Sequence, residues 1–214
     1  MSKLLLITRP NYEITTRYLF AWSGQIVDLA KTKGIDVIEL KKNKANRKEF
    51  ESRLAKLKPQ LVIINGHGSD TCVTGHDGEV LIEAGQNEDI LYSKIVYSLS
   101  CNSASCLGIE SVKAGALCYI GYKTKFTFFH RNKITHPLED NIAKLFLDPS
   151  NQVAVSLLKG NKTQEANRKS KELSIRNIQK LLNSASSKES VLYARFLWSN
   201  MYNQVCHGNQ NACF

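Results

Sequence analysis

Leu61-Val62-Ile63-Ile64-Asn65-Gly66-His67-Gly68-Ser69 and Ile95-Val96-Tyr97-Ser98-Leu99-Ser100-Cys101-Asn102-Ser103-Ala104 decide how this chain folds. Each is a short apolar run that stops at a reactive side chain. Runs of this length, rich in β-branched residues and bounded by turn formers, read as buried strands. No long helical pattern separates the two. They therefore read as neighbouring strands of one parallel sheet, with His67 and Cys101 facing the same cleft.

The chain upstream supports that placement. Residues 3–8 form a first apolar strand, which Arg9-Pro10 ends. Leu19, Trp22, Ile26, Leu29 and Ala30 recur at helical spacing, and Lys33-Gly34 closes that helix with a cation followed by glycine. Residues 35–40 give a second strand. Residues 43–57 give a second helix with Phe50, Leu54 and Leu57 inward, and residues 61–65 give the third strand. Strands separated by helices imply a parallel sheet with right-handed crossovers.

Downstream, turn residues and two extended pieces near 72–74 and 79–82 read as a hairpin with its tip at Gly75-His76-Asp77-Gly78. Residues 94–98 form a fourth strand, 103–114 a short helix and 116–121 a fifth strand. The strand order implied is 2-1-3-4-5. Lys123-Thr124-Lys125-Phe126-Thr127-Phe128-Phe129-His130 fits no regular pattern. Helical spacing returns over 138–147, 150–158, 163–182 and 188–202, with breaks at Gly160 and at 184–187. The tail from Cys206 to Phe214 reads as a frayed terminus, with a Cys206–Cys213 disulfide as the alternative.

The totals set bounds. With 214 residues, 43% hydrophobic and 22% charged, the chain buries a real core and reads as a single domain over 1–214. The α/β core occupies 1–122, and 123–214 is its mostly helical completion. No apolar run reaches 18 residues, so no membrane span is expected. Met1-Ser2-Lys3 followed by a four-residue apolar run and Arg9-Pro10 lacks the features of a signal peptide, so a cytoplasmic location is expected. The six cysteines show no C-x-x-C spacing, and no metal site or cofactor is called for. Cys72 and His76 are two ligands without a third. Cys106 and Cys118 read as buried thiols, and His76, His130, His136 and His207 as structural histidines.

The formal charge of +10 raises nucleic acid or an acidic surface as partners. Eight basic residues against two acidic ones lie in 41–58, and seven against two in 159–180. Few aromatics are interleaved with them, so these read as solvated helix faces and nucleic acid is a weak expectation. Between Pro59 and Ser93 there are six acids and no Lys or Arg. The stretch that holds His67 is locally negative on a positive protein.

In open parallel sheets, functional groups gather beyond the carboxyl ends of the strands. A thiol must lose its proton to become a nucleophile, and a neighbouring imidazole can take it. The N–H groups of Gly68 and Cys101 are candidates for an oxyanion hole. The helix placed after Cys101 would favour a thiolate through its dipole. A dinucleotide loop at Gly66-His67-Gly68 would need a helix directly after the glycines, and turn residues follow instead. Arg9 and Glu13, in the loop after the first strand, read either as substrate contacts or as a structural ion pair. Phe126, Phe128 and Phe129 read as pocket lining, core cover or dimer contact.

An apolar strand ending in His-Gly, then an apolar strand ending in Cys, resembles the boxes of the caspase-like (clan CD) cysteine peptidases. Asn65-Gly66-His67-Gly68-Ser69 is similar to their histidine box, and Leu99-Ser100-Cys101-Asn102-Ser103-Ala104 to the cysteine box of CHAT domains. Leu157-Leu158-Lys159-Gly160-Asn161-Lys162-Thr163-Gln164-Glu165-Ala166 is similar to the CHAT helix-Gly-helix ending. The resemblance covers roughly residues 4–166. It implies a three-layer caspase-like α/β sandwich with a mostly parallel sheet and a helical C-terminal extension. It also implies His67 as general acid/base and Cys101 as nucleophile of a thiol endopeptidase acting on a protein or peptide, with an activating partner protein. Relatives that cut after Arg or Lys carry Asp two positions before the cysteine, where this chain has Leu99. A basic preference would then rest on Asp70 and Asp89. The alternatives are a catalytically silent signalling or assembly module and a basic, nucleic-acid-associated protein.

Overall fold

A computed structural model describes residues 3–131, 135–183 and 187–214. The start of the signal-peptide reading (Met1-Ser2) and most of the serine-rich break lie outside these residues.

The strands are β1 (Leu4–Arg9), β2 (Asp36–Lys41), β3 (Leu61–Asn65), the hairpin pair β4 (Cys72–Thr74) and β5 (Val80–Glu83), β6 (Ile95–Leu99), β7 (Cys118–Tyr122) and β8 (Gln204–Gly208). The main sheet has the order β2-β1-β3-β6-β7-β8. All its pairs are parallel except β7 with β8. The five strands read from the sequence therefore fall in the order 2-1-3-4-5, and β8 is an addition. The hairpin β4–β5 forms a separate two-stranded sheet.

Alternation along the strands builds a core on each face. Leu5, Ile7, Leu61, Ile63, Ile95, Tyr97 and Leu99 point to one face and meet Leu19, Trp22 and Ile26 of α1 (Ile14–Thr32). Leu147, Val153 and Leu157 of α4 (Asn141–Leu158) complete that layer. Leu6, Val62, Ile64 and Val96 point the other way, against Phe50 and Leu54 of α2 (Arg47–Leu57), Leu107 of α3 (Leu107–Lys113) and Val73 and Leu81 of the hairpin. Sheets covered on both sides read as continuous apolar runs, which explains strands such as Leu61–Asn65 that are buried at every residue. The architecture is a three-layer α/β sandwich. Two further helices, α5 (Thr163–Leu181) and α6 (Lys188–Asn203), pack beyond α4.

The sequence places two helices where the structure has only α4. Pro149 falls between the two, and a proline inside a helix removes the bond to the carbonyl four residues back. Here that carbonyl, Leu145 O, accepts from Asn177 Nδ2 of α5 at 2.9 Å instead. The Pro149 carbonyl takes the Ser170 hydroxyl at 2.7 Å. With both groups satisfied the helix runs through.

The C-terminal tail is not frayed. Cys118 to Tyr122 pair with Gly208 to Gln204. Ala212 O accepts from Thr163 N–H at 3.0 Å, and Phe214 O accepts from Lys3 Nζ at 2.7 Å. Cys206 and Cys213 are both free thiols. Among the described residues no helix is long and apolar enough to cross a membrane.

Candidate active site

The register between β3 and β6 assembles the site. Leu61 pairs with Ile95 and Asn65 with Leu99. Continued two residues past the strands, the same offset sets His67 opposite Cys101. Parallel neighbours run about 4.8 Å apart. Accordingly His67 and Cys101 line one crevice, with Thr15, Leu19, Leu99, Phe126 and Phe128 among its walls. The crevice holds about 30 Å³, room for a water or two.

Two glycines are required by close approach. A Cβ on Gly68 would lie 2.6 Å from Cys101 O and 2.9 Å from Ser100 Cβ. A Cβ on Gly66 would lie 1.9 Å from Thr74 O. Gly68 bridges Val73 through the Thr74 and Ser69 N–H groups. That pattern leaves the Gly68 N–H outside the ladder and free for another acceptor.

The turn after Cys101 is built from small polar residues. Asn102 is left-handed (φ 59°), a conformation that Asn tolerates well. Beneath it the buried hydroxyls of Ser98, Ser100, Ser103 and Tyr119 form a connected set, with contacts of 2.7, 2.8 and 3.1 Å. Sequence reasoning passed over these serines. Their signal is three hydroxyls within six residues at a strand end, where apolar residues would be the rule.

His67 is half-exposed, and its Nε2 lies 3.3 Å from Glu13 Oε1. Glu13 also caps α1, accepting from Thr15 N–H at 2.7 Å and Thr16 N–H at 2.5 Å. Burial acts to raise this carboxyl, but the Thr16 and Thr15 N–H groups, the Thr16 hydroxyl and His67 outweigh it and hold it below the ordinary value. Arg9, which ends β1 rather than lying in the loop, is structural. It is buried, ion-paired with Glu39, bonded to Ser23 Oγ and Phe20 O, and stacked on the Phe20 ring.

Cys101 lies under the segment from Lys123 to His130. Asn102 N–H donates to Thr124 O at 3.1 Å, and Cys101 Sγ is 3.6 Å from Phe126 O. Burial pushes the thiol above its ordinary value, while the Phe126 backbone and the Lys125 ammonium pull against it without cancelling it. The expected helix dipole is not at the thiol: α3 begins at Leu107, beyond an intervening turn, and has seven residues. Phe126 and Phe128 face the crevice, whereas Phe129 packs on Phe146, Tyr193 and Phe196.

Of the acids, Asp70 stays on this edge, exposed, with its carbonyl holding Leu107 N–H at 2.9 Å. Asp89 does not. It lies in the 3₁₀ turn Glu88–Leu91 just ahead of β6, and so at the opposite end of a strand roughly 17 Å long. Leu99 is a buried wall of the crevice. Two other histidines are tied to structure: His76 Nδ1 accepts from Asn11 N–H at 3.2 Å, and His207 Nε2 meets Ala104 O at 2.8 Å.

No family model matches the chain, and no curated protein matches it. Among solved structures it is similar to the complex of Porphyromonas gingivalis RgpB pro- and mature domains, with TM-score 0.64 and 10% identity over 98% of this chain and 47% of that one. It is also similar to the Arg specific cysteine proteinase gingipain R, with TM-score 0.62 and 12% identity over 98% and 46%. The chain thus spans about half the length of these two. At such identities the likeness is one of fold, the α/β sandwich that the chain shares with these two structures.

Proposed function

We propose that this chain is a cysteine endopeptidase that works through Cys101 and His67. The observation that carries the reading is the β3–β6 register, which brings both side chains to one crevice. Cys101 Sγ attacks the peptide carbonyl and gives its proton to His67. Glu13 occupies Nε2, which leaves Nδ1 as the atom that takes the proton and returns it to the leaving amine. The Gly68 and Cys101 N–H groups hold the oxyanion. Water then hydrolyses the thioester. The similarity of the His67 and Cys101 boxes to those of CHAT domains supports reading the chain as CHAT-like.

The walls bear on specificity. The crevice is too small for a side chain until it opens, and its walls Thr15, Leu19, Leu99, Phe126 and Phe128 carry no charge, which supports an uncharged residue before the cut. A basic preference would need Asp70, which stands on the rim of this edge. The resting thiol is neutral and covered, so Phe126 and Phe128 turn aside as substrate or an activating protein engages the 123–130 segment. Wild type and Cys101→Ala, compared on a peptide library and with a thiol-directed peptide probe, test the reading. Equal cleavage by both chains would sink it.

The covered thiol also favours a second reading, a signalling or assembly module with an unused dyad. Under that reading native Cys101 never reacts with iodoacetamide.

A further inference from the structure

Away from this crevice, two thiols from different ends of the core lie side by side. On β7 and β8, Ile120 pairs with Cys206 and Cys118 with Gly208. Cys118 and Cys206 are thus diagonal neighbours on one face of the sheet. Their sulfurs are 3.3 Å apart and both are free. A disulfide bond is about 2.05 Å long, so closure asks for about 1.3 Å of approach.

We propose that Cys118 and Cys206 are a modification site that forms a reversible disulfide. Cys206 is partly exposed and Cys118 is buried, so an oxidant meets Cys206 first and Cys118 acts as the sheltered resolving thiol. Ionisation is divided the same way. The shared S–H···S contact acts to lower the Cys206 thiol and raise the Cys118 thiol, and the Thr163 hydroxyl lies near both. The oxidant is a low-molecular-weight disulfide such as oxidised glutathione. The Cys206 thiolate attacks one of its sulfurs, and the other half leaves as a thiolate. Cys118 loses its proton to that thiolate and attacks Cys206 Sγ, displacing the second half. The two cysteines give up two electrons and two protons, and the oxidant becomes two thiols.

The bond would fasten an edge strand that is paired on one side only. That strand continues α6, whose Asn200 side chain donates to Thr127 O at 2.7 Å and accepts from Thr127 N–H at 3.0 Å. Asn203 O accepts from Lys123 N–H at 2.9 Å. The linkage therefore secures the element that anchors the cover over Cys101.

The test uses the full chain carrying Cys101→Ala, so that it stands apart from the peptidase reading. The chain is incubated with oxidised glutathione, denatured, alkylated with iodoacetamide and mapped without reduction. The expected result is one cross-link between the Cys118 and Cys206 peptides and loss of two of the five thiols that this variant keeps. Dithiothreitol reverses it, and the thermal midpoint rises in this chain but not when Cys206→Ser is added. Arrest at a glutathione adduct on Cys206, a Cys206–Cys213 link, or two unmodified cysteines overturns it.

Discussion

Glu13 joins two tasks in one carboxylate, capping α1 and holding His67. Glu13→Gln keeps an acceptor for the cap but removes the charge from the imidazole. The expected result is a fall in kcat on the order of 10–100-fold with KM little changed, within the range a positioned acid–base group contributes. Because the folded carboxyl is held below its ordinary value, its contribution to stability is present above the ordinary carboxylate pKa. That contribution is lost as pH falls through the lowered value. Cys101 shifts the other way: its thiol is raised, so its iodoacetamide alkylation, timed by mass spectrometry, should accelerate only above the pH range of an ordinary thiol. His67, Cys101 and the apolar Leu99 were legible because each stands at or just past the end of a strand whose pattern is plain. Glu13 was legible only as a loop residue, since nothing local says which side chain it faces. Asp89 misled because a run of like charge in sequence spans both ends of a strand in space.

At the scale of elements, exceptions to propensity are settled by distant partners. Pro149 removes one hydrogen bond inside α4, and Asn177 of α5 satisfies the Leu145 O that this leaves. Asn177→Leu should therefore cost about 1–3 kcal/mol in urea denaturation, the usual penalty for an orphaned buried carbonyl. Strand β8 escaped the sequence reading because few of its residues are strong strand formers and its pairing with β7 closes over a long separation. The residue after α2, Lys58, is left-handed (φ 48°), where glycine is the usual occupant. Lys58→Gly should stabilise the chain by about 1 kcal/mol, read as a higher urea midpoint with unchanged slope.

Over the whole molecule 29 basic residues stand against 19 acidic ones, and several of the basic ones on the charged helices are paired within their own helix. Arg47 and Arg53 of α2 pair with Glu51 and Glu49, and Lys169 and Arg168 of α5 pair with Glu165 and Glu172. Binding to single-stranded nucleic acid should accordingly be weak and vanish between 50 and about 200 mM salt, measured by fluorescence anisotropy. The parallel order β2-β1-β3-β6-β7 followed from alternating strands and helices, and it fixes which edge carries chemistry. The cover over that edge did not follow, because residues 123–130 take their path from contacts with the Cys101 turn and α6 rather than from their own pattern.

The most direct test sets wild type beside Cys101→Ala on a diversified peptide library, with the intact masses of both chains read after exposure to a thiol-directed peptide probe. The account predicts cleavage after uncharged residues and a single adduct on Cys101 in the wild type. In the variant it predicts neither, with an unchanged circular dichroism spectrum. A wild-type chain that neither cuts nor takes up the probe, or a variant that cuts as well as the wild type, would contradict it.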